Sequence, residues 1–254
     1  MKKWCIIVVC VPVFLVLALI LIYLLLRISI PEGAVPTDDI VSHCVGDVTG
    51  DGISELLVIS GSGEIDTGER HGQHLLVCEV SAWVDFTEFG YIPREKITHS
   101  IDLTGIKPLK VQIGDINGDG INEVALCVYK TAIFHEMMAK RPFFFDLVDG
   151  NLIPVWLGSR LSRPFDDYVL FDVNDDGFNE IVSIEQLENG GRVVAIYIWK
   201  GFGFEVLVES PEAEAGLRFD TETPWESGSM AKIGVITADN EHLTIAFSVS
   251  ENEG

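Results

Sequence analysis

The chain has 254 residues, of which 48% are apolar, so it can bury a sizeable core and is not a disordered polypeptide. It carries 39 acidic against 17 basic residues, a formal net charge of −22. That balance argues against nucleic acid and against an anionic lipid surface as partners.

The first predicted element is a membrane anchor. The stretch Trp4–Leu26 contains 23 residues and no charge, and a helix needs about 20 apolar residues to cross a bilayer. Lys2 and Lys3 precede it and only Arg27 follows, which places the N-terminus in the cytoplasm and the rest of the chain outside. We therefore predict a signal anchor or transmembrane helix within residues 1–30. A signal peptide cut after Ala34 is the alternative.

The exported part is strongly acidic and poor in cysteine. Without Lys2, Lys3 and Arg27 it has 14 basic and 39 acidic residues, a net charge of −25. Solubility explains such a charge, and bound cations that neutralise some carboxylates are the sharper hypothesis. Its three cysteines, Cys44, Cys78 and Cys127, do not form a disulfide framework. We predict free thiols buried in strands, with a Cys44–Cys78 pair as the alternative.

A repeat runs through residues 38–254, after a linker at 31–37. Three segments align without gaps: GDVTGDGISELLVIS from Gly46, GDINGDGINEVALCV from Gly114 and FDVNDDGFNEIVSIE from Phe171. A fourth, GVITADNEHLTIAFS from Gly234, keeps the apolar positions and loses most of the acids. The starts are 68, 57 and 63 residues apart. A period of this length indicates a repeat architecture.

Short apolar runs between turn residues predict about four strands in each unit. Unit one offers IVSHCVGD, ELLVIS, HLLVCEV and WVDFTEF, and unit four offers only AKIGVI and LTIAFSV. We therefore predict an all-β, β-propeller-like array of about four blades, the last one incomplete. The predicted units lie near 38–105, 106–163, 164–222 and 223–254. Whether the array closes into a ring or remains an open arc is left open by the sequence.

Each of the first three units has an acidic loop between its first two strands. With Asp115 as position 1, alternate positions of the second loop carry Asn117, Asp119, Ile121 and Glu123. Carboxylates, an amide and a backbone carbonyl converging in one turn supply the oxygens that Ca²⁺ prefers. Without a cation, three neighbouring carboxylates would repel one another. The sequence therefore predicts a calcium site here, with the Ile121 carbonyl as one ligand.

These segments resemble the FG-GAP or VCBS repeats of integrin-alpha-like β-propellers, whose signature is D-x-[DN]-x-D-G-x-x-[DE] followed by a strand. The resemblance implies loops that bind Ca²⁺, up to three ions in this chain. The matching residues of the first loop are Asp47, Thr49, Asp51, Ile53 and Glu55. Those of the third loop are Asp172, Asn174, Asp176, Phe178 and Glu180. Thr49 departs from the signature, and about four blades depart from the usual seven.

The residues at individual loop positions argue against a metal ion in the fourth loop and against an EF-hand in the other three. The fourth loop has Val235 and Leu243 at positions 1 and 9, so we expect no metal there. An EF-hand needs an acid at position 12 and a helix after the loop. Position 12 is Val58, Leu126 and Ser183 in the three loops, and β-branched runs follow, which argues against an EF-hand.

Other candidate residues point less clearly to a function. His71 and His74 lack a third metal ligand, and the chain contains no nucleophile, zinc or phosphate motif. Arg160 and Arg163 near Trp156 suggest either a rim for an anionic or glycan ligand or, as we favour, salt bridges to Asp166 and Asp167. Core packing is likewise expected for Trp156, Trp199 and Trp225.

These observations predict a membrane-anchored, extracytoplasmic, calcium-binding domain that binds a protein or a cell-surface glycan without catalysis. A polysaccharide-acting enzyme and a structural component of an envelope complex are the alternatives from other classes.

Overall fold

The computed structural model describes residues 30–133, 135–158 and 160–249, which form an all-β protein. The strands of the first half are β1 Val35–Pro36, β2 Ile40–Gly46, β3 Glu55–Ser60, β4 Gly63–Glu64, β5 Arg70–His71, β6 His74–Glu79, β7 Tyr91–Ile92, β8 Ile97–Asp102, β9 Pro108–Gly114 and β10 Glu123–Ala132. Those of the second half are β11 His135–Val148, β12 Asn151–Leu157, β13 Phe165–Phe171, β14 Glu180–Gln186, β15 Arg192–Trp199, β16 Phe204–Glu209, β17 Arg218–Phe219, β18 Met230–Ile236 and β19 His242–Ser248. One α-helix, α1, spans Ala82–Phe89, and 3₁₀ turns span Thr37–Asp39 and Arg94–Lys96.

Most strands belong to four antiparallel sheets that follow one another along the chain. Sheet 1 has the order β2-β3-β6-β8, sheet 2 the order β9-β10-β11-β12, sheet 3 the order β13-β14-β15-β16, and sheet 4 the order β17-β18-β19. Two-stranded ribbons, β1-β7 and β4-β5, complete the described part. None of these sheets closes on itself, and in sheets 2 and 3 each strand is hydrogen-bonded to the next strand along the chain.

The sheets stack face to face, and an apolar core fills each space between them. Representative pairs are Leu57 and Leu126 between sheets 1 and 2, Phe144 and Ile181 between sheets 2 and 3, and Val182 and Ile233 between sheets 3 and 4. The first strands of successive sheets are neighbours, because β2 contacts β9 and β9 contacts β13. The second strands of sheets 1 to 3 are covered on both sides, which explains runs such as ELLVIS that are apolar without alternation.

One predicted strand is wrong. The stretch WVDFTEF forms α1, and the fourth strand of sheet 1 is β8, which the sequence interpretation missed. Helix spacing explains the result, since Ala82 and Phe86 are four residues apart and both pack on sheet 1. Gly90 follows the helix in the left-handed conformation, with φ of 76°, which ends it.

Two further expectations concern the cysteines and the membrane anchor. Cys44, Cys78 and Cys127 are free, and burial raises the pKa of each thiol to about 12. The prediction of free thiols within strands is therefore confirmed, with Cys78 and Cys127 buried and Cys44 half-buried. The predicted anchor Trp4–Leu26 lies outside the described residues. Within those residues, no helix combines the length and the apolar character needed to cross a bilayer.

Candidate metal centre

The three acidic loops occupy the same place in three sheets. They span residues 47–54, 115–122 and 172–179, and each joins the first strand of its sheet to the second. The residue before each loop pairs with the position-9 glutamate, as Gly114 does with Glu123. Each loop is thus a hairpin connection, and the predicted strand after it is confirmed.

The position-1 aspartate folds its loop by accepting backbone hydrogen bonds. Asp115 Oδ1 accepts from the N–H of Gly118 at 2.7 Å, and Oδ2 accepts from that of Gly120 at 2.9 Å. Both glycines have positive φ, 80° and 84°, so the turn needs residues that tolerate this conformation. The equivalent bonds join Asp47 to Gly50 and Gly52, and Asp172 to Asp175 and Gly177.

The position-5 aspartate stabilises the second half of each loop. Asp119 Oδ1 accepts a hydrogen bond from the Ile121 N–H at 2.8 Å. Asp51 and Asp176 accept equivalent bonds from Ile53 and Phe178 at 2.8 and 2.9 Å. At position 3, Asn117 donates from its side chain to Glu123 and Thr49 donates to Glu55, whereas Asn174 donates to Asp176. The predicted side chains of each loop are thus brought together, although position 3 is used differently in the third loop.

The position-9 glutamate carries the buried charge of the loop. Glu123 and Glu180 are 1% and 2% exposed, and each accepts a 2.9 Å hydrogen bond from the position-2 backbone N–H. Burial, together with the two aspartates of the same loop, raises the pKa of Glu123 to about 7. The same causes raise the pKa of Glu180 to about 7. A carboxylate kept charged at these positions therefore calls for a compensating cation.

In the described part of the chain, no Lys or Arg side chain forms an ion pair with a loop carboxylate. The Lys and Arg ion pairs found there involve other acids, such as the Lys110–Asp167 and Lys140–Glu69 pairs. The donor set is oxygen only and negatively charged, which fits Ca²⁺ in its chemistry. In these same residues, however, no group of three or more His, Cys, Asp or Glu side chains is placed to hold a metal ion. The hydrogen bonds above explain why, since they turn the carboxylates towards loop N–H groups. Asp115 Oδ1 and Asp172 Oδ1 each accept two hydrogen bonds, whereas oxygens such as Asp115 Oδ2 and Asp119 Oδ1 accept one and keep a second lone pair for a cation.

Contacts between consecutive loops were missed by the sequence interpretation. The Asn122 side chain donates to the Asp47 carbonyl at 2.7 Å, and the Asn179 N–H donates to the Asp115 carbonyl at 2.6 Å. Ser227, before β18, donates to the Asp172 carbonyl at 2.5 Å. The available signal was an asparagine at position 8 of both the second and the third loops. These bonds join the loops along one edge of the stack.

The fourth connection differs from the other three. It has five residues, 237–241, because the position-1 residue Val235 lies inside β18 and the position-9 residue Leu243 inside β19. The Thr237 N–H closes the turn onto the Glu241 carbonyl at 3.0 Å. Sheet 4 has a separate polar contact instead: Asp220, 1% exposed, lies 2.6 Å from His242 Nδ1 and accepts from the Thr223 hydroxyl at 2.7 Å.

Arg163 forms salt bridges, as predicted, but its partners are not Asp166 and Asp167. Arg163 bridges the buried Glu185 at 3.0 Å and Glu209 at 2.8 Å. Asp166 and Asp167 are instead paired with Arg192 and Lys110. The sequence interpretation missed Glu185, because its contact with Arg163 depends on β14 lying beside β13.

Two of the tryptophans lie in a half-buried aromatic cluster. The ring of Phe204 lies 5.1 Å from Trp156 and 5.1 Å from Trp199. Nearby in the β15–β16 connection, Phe202 is 83% exposed. Trp225 packs instead between Phe171 and Phe219. All three tryptophans are half-buried and pack against a core cluster, so the expected core packing is partial for each.

A cleft of about 730 Å³ lies beside the first loop and is a candidate catalytic pocket. Its lining includes Asp51, Glu79, His99 and Asp149. Among the described residues, His99 has a hydrogen-bond contact with Thr98, and Glu79 accepts from Ser81. These side chains do not form an acid–base pair with one another. His71 is also engaged locally, since its Nδ1 lies 2.7 Å from the Gly72 carbonyl.

A scan against protein-family models found no match for this chain, and a search of curated proteins found no relative. The resemblance to FG-GAP or VCBS repeats therefore rests on the three acidic motifs alone.

Proposed function

We propose that this protein is a membrane-anchored, extracytoplasmic, propeller-like array of four sheets whose acidic loops bind Ca²⁺ and whose surface binds a protein or a glycan. The observation that carries the proposal is the acidic hairpin that recurs with the same backbone hydrogen bonds in three sheets. Up to three ions would be held by the residues at positions 1, 3, 5, 7 and 9 of these loops. Calcium would neutralise buried carboxylates such as Glu123 and Glu180, and so stabilise the edge of the array.

The stacking of the sheets supports the propeller-like part of the proposal. Sequential antiparallel sheets with neighbouring first strands are typical of blades arranged around an axis. Four sheets would form a short arc or a small ring. The chain entering from the N-terminal anchor would then present the loops of a rigid scaffold to the extracytoplasmic space.

The half-buried cluster of Trp156, Trp199 and Phe204 favours a glycan as the ligand. Aromatic rings that are partly exposed offer an apolar face with polar surroundings, as sugar rings require. Replacement of Trp199 by Ala should remove glycan binding if the cluster is the site, whereas Asp239→Ala should leave it unchanged. A glycan array probed with the full chain in detergent, with and without calcium, measures this. Binding by both variants at the level of the native chain would contradict the assignment.

Calcium binding is tested by counting ions. Equilibrium dialysis of the full chain in detergent should show up to three bound Ca²⁺ per chain. Asp119→Ala should remove one ion, and Asp239→Ala, in the fourth connection, should remove none. Absence of bound calcium at millimolar concentration, or equal losses in the two variants, would overturn the proposal.

A further inference from the structure

The sheet-1 end of the stack carries an exposed apolar surface built on α1. The helix covers the outer face of sheet 1 through Ala82 and Phe86. Its other side leaves Trp83 at 37% exposure and Val84 at 51%, and Phe89 near its C-terminus is 59% exposed. A groove of about 750 Å³ is lined by Val45, Val80, Trp83 and Val84, so these side chains form one surface. We call the surface formed by Val45, Val80, Trp83 and Val84 the α1 patch.

The ring of Trp83 is held in place while one side of it remains open. It lies 5.1 Å from the His43 ring and 5.3 Å from the Phe86 ring. Burial lowers the pKa of His43, which keeps this imidazole neutral. The patch is therefore a fixed, uncharged surface.

The opposite end of the stack carries a more mixed surface, in which Met230 is 52% exposed. In β18 and β19, Ile233 and Ile245 are paired and face the core, so the alternate residues Lys232 and Thr244 face outward. A free end of a repeat array is normally polar. The α1 patch departs from that pattern, and exposed apolar surfaces of this kind mark interaction sites.

The chain enters the stack at the same end. Ribbon β1-β7 joins residues 35–36 to the strand directly after α1, and the Thr37 N–H donates to the Gly90 carbonyl at 3.0 Å. The ring of Phe89 lies 6.3 Å from that of Tyr91, which pairs with Pro36. Eight residues, 27–34, lie between Leu26 and Val35, a reach of at most about 30 Å. The chain that follows the uncharged segment Trp4–Leu26 therefore joins the stack at the end that carries α1.

We propose that the α1 patch lies against the surface of the bilayer that holds the anchor, with Trp83 and Val84 in the headgroup interface. This rests on the proposed membrane anchoring. Tryptophan is favoured at this depth because its ring is amphipathic. Exposed Glu79 and Glu88 border the patch, and Asp85 is paired with Lys96. The surrounding charge is thus not basic, so the lipid is zwitterionic and not anionic.

The test uses the full chain reconstituted in phosphatidylcholine vesicles with brominated acyl chains, which quench nearby tryptophan fluorescence. In a Trp4→Phe background, which removes the tryptophan of the anchor segment, a quenched component should disappear in Trp83→Phe and persist in Trp225→Phe, since Trp225 packs between Phe171 and Phe219 away from α1. Unchanged quenching in Trp83→Phe would overturn the proposal. Flotation of the same vesicles tests the anchor separately. A chain that floats without quenching at Trp83 contradicts this inference alone, and a chain that does not float contradicts both.

A second pair of variants tests the contact without removing a fluorophore. Val84→Asp should abolish labelling of residues 80–89 by a photoactivatable phosphatidylcholine, while Thr244→Asp should leave it intact. Val84 is half exposed, so the melting temperature should remain that of the native chain. Addition of anionic lipid should reduce the labelling. Cross-links between two copies at α1 in place of lipid labelling would contradict the proposal.

Discussion

The side-chain amide of Asn122, in the second acidic loop, donates a 2.7 Å hydrogen bond to the backbone carbonyl of Asp47, the first residue of the first loop. The bond joins two residues that are 75 positions apart in the chain. It occurs where sheets 1 and 2 stack, and the Asn179–Asp115 bond repeats the relationship between sheets 2 and 3. The acidic loops therefore act as a connected edge and not as independent turns.

Loss of this inter-loop bond should destabilise the stack. Asn122→Ala removes one partly buried hydrogen bond and should lower the free energy of unfolding by about 1 kcal/mol. Urea unfolding of the full chain in detergent measures the change. Asn151→Ala is the matched control, because Asn151 only bonds the nearby Asp149 carbonyl and is exposed. Equal effects of the two substitutions would show that the contact between the loops contributes nothing.

The glycine before the second loop should not tolerate a side chain. A Cβ added to Gly114 would lie 2.5 Å from the Asn179 side-chain oxygen and 3.1 Å from Leu170 Cδ1, so both side chains would have to shift. Gly114→Ala should cost about 1–3 kcal/mol, as overpacking usually does. Gly105→Ala is the control, since an added Cβ there meets no atom within 4 Å. Thermal unfolding of both variants decides the point, and a native-like Gly114→Ala would refute it.

Arg163 should be more important than its neighbour Arg160. Arg163→Met would leave the buried Glu185 with its carboxylate only partly satisfied, by Tyr197, and should cost about 1–3 kcal/mol. Arg160→Met changes an exposed residue and should have a small effect. Chemical denaturation compares the two. A larger effect at Arg160 would contradict this prediction and favour the hypothesis that the two arginines form a rim for an anionic or glycan ligand.

Acid should weaken the contact that stabilises sheet 4. The hydrogen bonds from His242 and Thr223 lower the pKa of Asp220 below its usual value. Because the unfolded state takes up the proton first, this contribution is fully present above about pH 4 and is lost as the pH falls further. Asp220→Asn should therefore flatten the acid side of the stability profile, measured by circular dichroism. Asp239→Asn, exposed in the β18–β19 turn, should retain the native profile; a matching change there would contradict the assignment.

Calcium should raise the melting temperature and a chelator should lower it. A site with Kd of about 1 mM contributes about 1.4 kcal/mol at about 10 mM Ca²⁺, because only the folded loop binds the ion. Asp119→Ala should reduce the calcium-dependent shift, whereas Asp239→Ala should leave it whole. Differential scanning fluorimetry with a conformational dye measures both. A melting temperature that does not change with calcium would indicate that the acidic loops are hydrogen-bonded turns that bind no ion.

The acidic motifs and the strands around them could be predicted because their causes are local. Asp115, Gly118 and Gly120 are within five residues of one another, and their hydrogen bonds and φ angles build the turn from its own sequence. The wrong prediction of a strand at WVDFTEF has a local and a distant cause. Its apolar residues fit both periods, and only packing of Ala82 and Phe86 on the outer face of sheet 1 selects the helix.

The sequence by itself determined that this is an all-β chain with three equivalent acidic hairpins, since turn chemistry and apolar patterning act over a few residues. Only the tertiary structure decided that the hairpins lie along one connected edge, that Arg163 pairs with Glu185, and that α1 leaves an apolar surface at one end of the stack. Those features join residues tens of positions apart, and their geometry exists only once the sheets have packed.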